Sequence, residues 1–149
     1  MLGRTMVIAT LFAAAAGAAS AAPVRHAGEW QTTIDTGRPT LVCFRKDLVI
    51  DQAFMLHSMA TIPGGNCKMN RYTTVGPVTS SSMSCTVGGS LMTIASTTTV
   101  TAPDTMTSRS QSHGGAVPLN GKLAPLPDTD STSVSRRLGP CKPGDPLFN

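Results

Sequence analysis

The stretch from Cys67 to Cys85, CKMNRYTTVGPVTSSSMSC, constrains the fold of this chain more than any other. Its strand-like halves meet at Gly76-Pro77, a dipeptide typical of turns, and each cysteine lies nine positions from Gly76. A β-hairpin folded there places the cysteines opposite each other, where Cβ atoms lie about 4.5–5.5 Å apart. A modest adjustment brings them to bonding distance. The spacing therefore predicts a hairpin closed by a Cys67–Cys85 disulfide.

The other cysteines, Cys43 and Cys141, then remain to pair with each other and tie the front of the chain to its end. A metal or redox site is the alternative use of such residues, and it typically needs close spacing such as C-x-x-C. No two cysteines of this chain are spaced that way. We therefore expect two structural disulfides, Cys43–Cys141 and Cys67–Cys85.

The N-terminus reads as an export signal. Arg4 gives a short positive region, Met6–Ala19 is apolar, and Ala19–Ala21 fits the small-x-small cleavage pattern. The apolar run is shorter than the roughly 20 residues of a membrane span. The chain therefore predicts a Sec-type signal peptide over 1–21 with cleavage near Ala21, a periplasmic or secreted location, and no transmembrane segment after cleavage.

The composition of the remaining chain indicates one small domain with a thin core, because Thr, Ser, Gly and Ala are frequent and large apolar side chains are few. Exported domains with thin cores commonly depend on disulfides. Removing Arg4 with the signal lowers the formal net charge from +4 to +3, which is too mild and too scattered to predict nucleic-acid binding. We expect a single β-rich domain over 22–141 and a flexible C-terminal tail over 142–149.

The apolar pattern along the domain predicts a mainly β fold. Besides the hairpin, strand patterns and turn signals mark residues 29–35, 40–44, 90–101, 105–112 and 130–138. Leu48–Met59 has helical spacing with Asp47 as the predicted N-cap. Residues 113–128 are rich in Gly and Pro and are predicted to form a long surface loop. The expected architecture is an antiparallel meander, either an open curved sheet or a partly closed barrel, with one short helix.

Several motifs follow one another in an order that resembles a known family: Gly28-Glu29-Trp30, Cys43, Cys67-Lys68, Cys85, Gly88-Gly89 and the closing segment Arg136–Cys141. This chain resembles the exported bacterial family DUF3617, a domain of unknown function, over nearly all of the mature chain. The resemblance implies a signal peptide and a mostly antiparallel β domain. It implies no catalytic residue, because no activity is established for the family. The chain departs from the family pattern at Phe44–Asp47, where a short polar turn is usual, and in the Pro-rich segment 116–128.

The motifs of common enzymes are missing from the sequence. No G-x-S-x-G elbow accompanies the abundant serines, and Glu29 is the only glutamate. Phosphate-loop and dinucleotide motifs are missing as well. The sequence favours a non-enzymatic protein without a cofactor.

The M-x-H-x-M cluster of Met55, His57 and Met59 raises a copper hypothesis, because thioethers and imidazole suit Cu(I). On a helix, however, Met55 and Met59 share one face and His57 points about 200° away. The alternative is that both methionines fill the core beneath a loosely packed helix.

The second candidate pair is Arg136 and Arg137. Neighbouring residues on a strand point to opposite faces, so one arginine faces solvent and the other the interior. The inner arginine needs a carboxylate or an anionic ligand. A solvated edge strand with a structural salt bridge and an anion held on the sheet are both compatible with this pattern.

These observations favour a binding or interaction module of the bacterial envelope, whose concave face or loops contact an envelope protein or a small ligand. A periplasmic copper-binding protein is the alternative.

Overall fold

The computed structural model describes residues 21–60 and 66–148, apart from the side chains at positions 59 and 60. All of the predicted signal peptide except Ala21 lies outside these residues. The helix α1 spans Gln52–Ala60. Twelve strands complete the described fold: β1 Val24–Arg25, β2 Gly28–Ile34, β3 Thr40–Phe44, β4 Leu48–Val49, β5 Asn66–Val75, β6 Val78–Val87, β7 Ser90–Ala102, β8 Thr105–Gly114, β9 Ala116–Leu119, β10 Lys122–Pro125, β11 Thr129–Gly139 and β12 Leu147–Phe148.

Eight of the strands form one sheet in the order β12-β3-β2-β11-β8-β7-β6-β5. Neighbours are antiparallel except β12 and β3, which are parallel. The sheet is open, with β12 and β5 as its edges, so the barrel alternative is wrong and the open meander is confirmed. Two short ribbons, β1-β4 and β9-β10, accompany it.

The hairpin predicted around Gly76-Pro77 is present. Cys67 pairs with Cys85 in the β5-β6 register, and Gly76 has a φ of +56°, a conformation that glycine adopts without steric cost. The described disulfides are Cys67–Cys85 and Cys43–Cys141. Both predicted pairings are therefore confirmed.

One apolar cluster lies on the sheet near the Cys67–Cys85 bridge, and we call it the hairpin core. Its buried members are Met83, Cys85, Val87 and Met92. Met55 of α1 and Leu126 pack against it. The hairpin core thus lies on the part of the sheet that the long hairpins form.

A second cluster, the terminal core, consists of Trp30, Phe44 and Met106. Trp30 is completely buried, and its Nε1 donates a hydrogen bond of 2.8 Å to the His26 carbonyl oxygen. The stretch of sheet between the two cores is hydroxyl-rich, as shown by the buried Thr79 and Ser81. The large buried apolar side chains are thus concentrated in two separate clusters.

The predicted start of the helix is wrong. Leu48–Val49 form β4 and pair with β1, and α1 begins at Gln52. Leu48 and Ile50 both pack against the terminal core, a spacing of two that suits extended chain rather than helix. The residue that caps the helix is Asp51, whose Oδ1 accepts a 2.8 Å hydrogen bond from the Phe54 amide.

The segment 113–128 is not the long surface loop predicted from its Gly and Pro content. β8 continues to Gly114, and β9 and β10 form a hairpin. Its turn is Asn120-Gly121, with φ values of +50° and +75°, the pair of left-handed residues that a tight hairpin turn needs. The prolines are tolerated because this two-stranded ribbon has free edges.

The C-terminal segment also differs from the expected flexible tail. Leu147–Phe148 pair with Cys43 and Phe44 of β3, and the Cys43 amide donates a 2.7 Å hydrogen bond to the Pro146 carbonyl oxygen. The Cys43–Cys141 disulfide brings the chain end to β3, which makes this pairing local in space. A sequence pattern of two residues is too short to indicate a strand.

Candidate functional site

A cavity of about 630 Å³ opens between the helix and the β12 edge of the sheet. We call this cavity the aromatic pocket. Its walls are four apolar side chains: Phe44, Leu48, Phe54 and Phe148. The volume falls within the roughly 300–1,000 Å³ of small-molecule pockets, which are lined mainly by apolar and aromatic side chains. A larger cleft of about 890 Å³ beside the Cys43–Cys141 bridge has one phenylalanine ring in its lining, whereas this cavity has three. The aromatic pocket is therefore the candidate functional site.

The sheet side of the aromatic pocket is assembled by the two ends of the chain. Phe148 of β12 lies beside Phe44 of β3 in a parallel register, and their ring centroids are 5.1 Å apart. The Cys43–Cys141 bridge joins the residue before Phe44 to the segment that leads into β12. Two walls of the pocket thus depend on one long-range disulfide.

The helix supplies the opposite wall. The ring of Phe54 lies 6.5 Å from that of Phe148, centroid to centroid. Two hydrogen bonds fix the corner that precedes it: Asp51 caps the helix at Phe54, and the Tyr72 hydroxyl on β5 donates to the Ile50 carbonyl oxygen at 2.7 Å. The position of Phe54 is therefore set from both the helix start and the sheet.

A smaller cavity of about 200 Å³, which we call the inner chamber, shares all four walls of the aromatic pocket. Its other lining residues are Arg25, Ile50, Thr98 and Ser108. Thr98 and Ser108 face each other across β7 and β8, and their hydroxyl oxygens are 2.8 Å apart. The two cavities thus share four apolar walls, and the inner chamber adds one charged side chain, Arg25, and two hydroxyl groups.

Arg25 is the charged group of the inner chamber. Its guanidinium lies over the rings of Trp30 and Phe44, at 5.4 and 5.6 Å from their centroids, within cation–π range. Nη2 donates a 2.8 Å hydrogen bond to Ser135 Oγ, which is 2.9 Å from the Thr32 hydroxyl oxygen. The ribbon β1-β4 holds Arg25 in this position.

The remaining hydrogen-bonding capacity of Arg25 is not fully used. Within the described part of the chain, its Nε is buried and has no hydrogen-bond partner, and no carboxylate forms an ion pair with the guanidinium. Burial lowers the pKa of Arg25, but an arginine remains protonated in proteins. A positive charge is therefore held in the chamber without a protein counter-ion.

The entrance of the aromatic pocket is basic as well. Arg45, Lys46 and His57 line it, and Arg45 and Lys46 are exposed. The residues lining the pocket and the chamber include no aspartate or glutamate. The charge of the whole site is positive.

The predicted arginine pair lies outside this site. Arg136 is exposed and Arg137 is half-buried, so the two do face opposite sides of β11. Arg137 Nε donates a 2.8 Å hydrogen bond to the Ala27 carbonyl oxygen, and its Nη1 lies 3.8 Å from Asp104 Oδ2. The predicted edge strand is wrong, because β11 lies between β2 and β8. Arg137 also lines a cleft of about 890 Å³ beside the Cys43–Cys141 bridge.

The M-x-H-x-M residues lie on α1. Met55 packs against the hairpin core, whereas the exposed His57 lines the aromatic pocket with Phe54. The side chain of Met59 lies outside the described residues. The helix therefore separates Met55 from His57, and residues 21–60 and 66–148 contain no group of three His, Cys, Asp or Glu side chains placed to bind a metal.

Two important residues of the site carried no sequence signal. Arg25 lies in what reads as a short leader before the first strand, and Phe148 lies in the predicted tail. The disulfide prediction was the one available clue, because joining Cys43 to Cys141 brings the last residues close to Phe44.

The chain matches a known protein family. The family model described as "Protein of unknown function (DUF3617)" matches residues 25–141. The chain therefore belongs to the DUF3617 family, as the order of its motifs suggested. Comparisons with curated proteins and with solved structures give no match. In the part of the chain that the structure describes, no helix has both the length and the apolar character to cross a membrane.

Proposed function

We propose that this DUF3617 protein is a non-enzymatic, exported module of the bacterial envelope that binds a small, largely apolar ligand in the aromatic pocket. The observation that carries the proposal is the aromatic pocket itself: an open cavity with four apolar walls, which also line the inner chamber. Contact area of this kind is typical of ligand sites, where a few polar groups then fix orientation.

The construction of the pocket supports a binding role. Phe148 is 46% exposed although it is held in a strand and between two other rings. A ligand lying in the pocket would bury this ring and gain about 25 cal/mol for each Å² of apolar surface removed from water. The pocket walls are held by a disulfide, a helix cap and a backbone pairing, so little ordering would remain to oppose binding.

The proposed export from the cytoplasm rests on the two disulfides and on the signal-like pattern of residues 1–21. Structural disulfides persist in oxidising compartments. We expect the protein recovered from its native host to begin at Ala22 and to carry both bridges. A recovered chain that begins at Met1 with free thiols would contradict export.

The binding role is tested with a neutral apolar fluorophore, N-phenyl-1-naphthylamine, titrated into the disulfide-bonded protein. We expect one probe per chain and an affinity loss of about tenfold for Phe148→Ala, which corresponds to about 1.4 kcal/mol of lost contact. The matched control is Val75→Ala, because Val75 is 77% exposed at the far end of β5. Absence of probe binding, or equal affinity in both variants, would contradict the proposal and favour a protein partner instead.

A further inference from the structure

We propose that the ligand is a single-chain amphiphile with one anionic head, that the head binds Arg25 in the inner chamber, and that the chain lies in the aromatic pocket. This inference rests on the proposed function and specifies the chemical class of its ligand.

The first argument is the state of Arg25. Its guanidinium is held against two rings and one hydroxyl, and no carboxylate neutralises it in the described structure. Arg25 is half-buried, and partial removal of a cation from water without a counter-ion is unfavourable, so arginines in such positions are normally paired. The buried Nε is also left without an acceptor. An anionic oxygen in the chamber would supply both the charge and the missing hydrogen-bond acceptor.

The second argument comes from the hydroxyl groups of the chamber. In the 2.8 Å contact between Thr98 and Ser108, one hydroxyl donates to the other. The accepting hydroxyl keeps its own hydrogen, which it can direct toward a third group. A second oxygen of a carboxylate head would accept that hydrogen bond. The chamber therefore presents a cation and a neutral donor to a single anionic group.

The linings of the two cavities give the orientation. Both cavities share four apolar walls, but Arg25, Thr98 and Ser108 line only the inner chamber. An apolar chain lying in the chamber would keep Nε of Arg25 desolvated and unpaired, which is costly for a charged group. The head therefore lies in the inner chamber and the chain lies in the aromatic pocket.

The size of the chamber limits the head. Its volume of about 200 Å³ equals the liquid volume of roughly six or seven water molecules at about 30 Å³ each. A carboxylate with its first carbon atoms fits this space. The basic residues at the entrance, Arg45 and Lys46, would attract the anion from solution before it enters.

The test compares three ligands with the same ten-carbon chain by isothermal titration calorimetry: decanoate, decan-1-ol and decyltrimethylammonium. The two ionic ligands are used below their critical micelle concentrations and decan-1-ol below its solubility limit. Decanoate is expected to bind about tenfold to a hundredfold more tightly than decanol, as for hydrogen bonds that involve a charged group. The cationic ligand is expected to bind more weakly than decanol. This series uses the wild-type protein and does not depend on the folding of a variant.

Variants then locate the head. Arg25→Gln is expected to remove the preference for decanoate over decanol, while Arg25→Lys retains part of the preference. The matched control Arg38→Gln removes an exposed arginine outside the cavities and should change neither affinity. Thermal melting of each variant shows whether it is folded.

The outcomes separate this inference from the proposed function. If decanoate and decanol bind with equal affinity, the proposal of an anionic head group is wrong. The proposed function still stands in that case, because both ligands bind. Loss of the preference in an Arg45→Gln/Lys46→Gln variant, with no loss in Arg25→Gln, would overturn the inner position of the head. Failure of the wild-type protein to bind any of the three ligands or the neutral fluorophore would remove the proposed function and this inference together.

Discussion

The two halves of the sheet are each stabilised by one disulfide and one apolar cluster, but they connect segments at different distances along the chain. The hairpin half, β5 to β8, is built from neighbours in sequence, and its bridge joins cysteines separated by 18 positions. The terminal half combines β1 to β4 and α1 with β11 and β12, and its bridge spans 98 positions. The first half contains the hairpin core, and the second contains the aromatic pocket and most of the terminal core. At the boundary, β8 contributes Met106 to the terminal core, and β7 and β8 contribute Thr98 and Ser108 to the inner chamber.

This difference indicates why the site lies where it does. The long hairpins pair residue by residue over most of their length, which leaves little space between elements. In the terminal half, the consecutive short elements β3, β4 and α1 meet β12 from the other end of the chain, and their side chains do not fill the space between them. The cavity thus results from the long-range assembly that Cys43–Cys141 holds in place.

The largest effect should come from removing the bridges one at a time. In the chain-entropy model, Cys43→Ser/Cys141→Ser lowers the free energy of unfolding by nearly 5 kcal/mol and Cys67→Ser/Cys85→Ser by about 3 kcal/mol. Urea unfolding of both variants measures this difference. Binding of the neutral fluorophore should be lost in the first variant and kept by the folded fraction of the second. Equal loss of binding in both would break the distinction between the halves.

A truncated side chain in the hairpin core tests whether the two halves of the sheet are independent. Met83 is 2% exposed in the hairpin core, so Met83→Ala should lower the free energy of unfolding by about 2–5 kcal/mol through lost burial and a residual cavity. Because Met83 lies outside both cavities, affinity of the folded protein for the fluorophore should stay within about twofold. Thermal melting measures the loss of stability, and titration with the fluorophore below the melting temperature measures the affinity. A large affinity change would show that the halves are coupled.

The smallest effect concerns surface charge. Hydrogen bonds from Arg109 and Gln111 lower the pKa of Asp130 from 3.8 to about 2. A lowered pKa of an acid means that its stabilising contribution is present above pH 3.8 and is lost as the pH falls toward 2. The melting temperature of wild type should exceed that of Asp130→Asn slightly at pH 6, and the two should converge near pH 2. The pair is exposed, so the difference is expected to be small; a difference that persists unchanged at pH 2 would contradict this assignment.

The sequence predicted the hairpin half well because its signals are local. Cysteines equidistant from Gly76 predicted the Cys67–Cys85 pairing, although a bulge between Met69 and Arg71 shifts the register by one residue nearer the turn. The Thr-rich run after Gly88-Gly89 indicated β7. Pairing by elimination also predicted the Cys43–Cys141 bridge correctly. These conclusions needed no knowledge of contacts between distant segments beyond the disulfides themselves.

The terminal half was less predictable because its elements are too short to carry a pattern of their own. β1, β4 and β12 have two residues each, and each exists because of a partner elsewhere in the chain. Leu48 was assigned to the helix for this reason, and Phe148 to a flexible tail. Arg25 carries no sequence signal of its own, because its position over Trp30 and its hydrogen bond to Ser135 exist only in the folded chain.

The most direct test of the account is an NMR titration of the ¹⁵N-labelled, disulfide-bonded protein with N-phenyl-1-naphthylamine. We predict that amide shifts concentrate at Phe44, Phe54 and Phe148 and decrease toward the hairpin core. Shifts centred on β6 and β7, or no shifts at saturating probe, would contradict the placement of the ligand site in the terminal half.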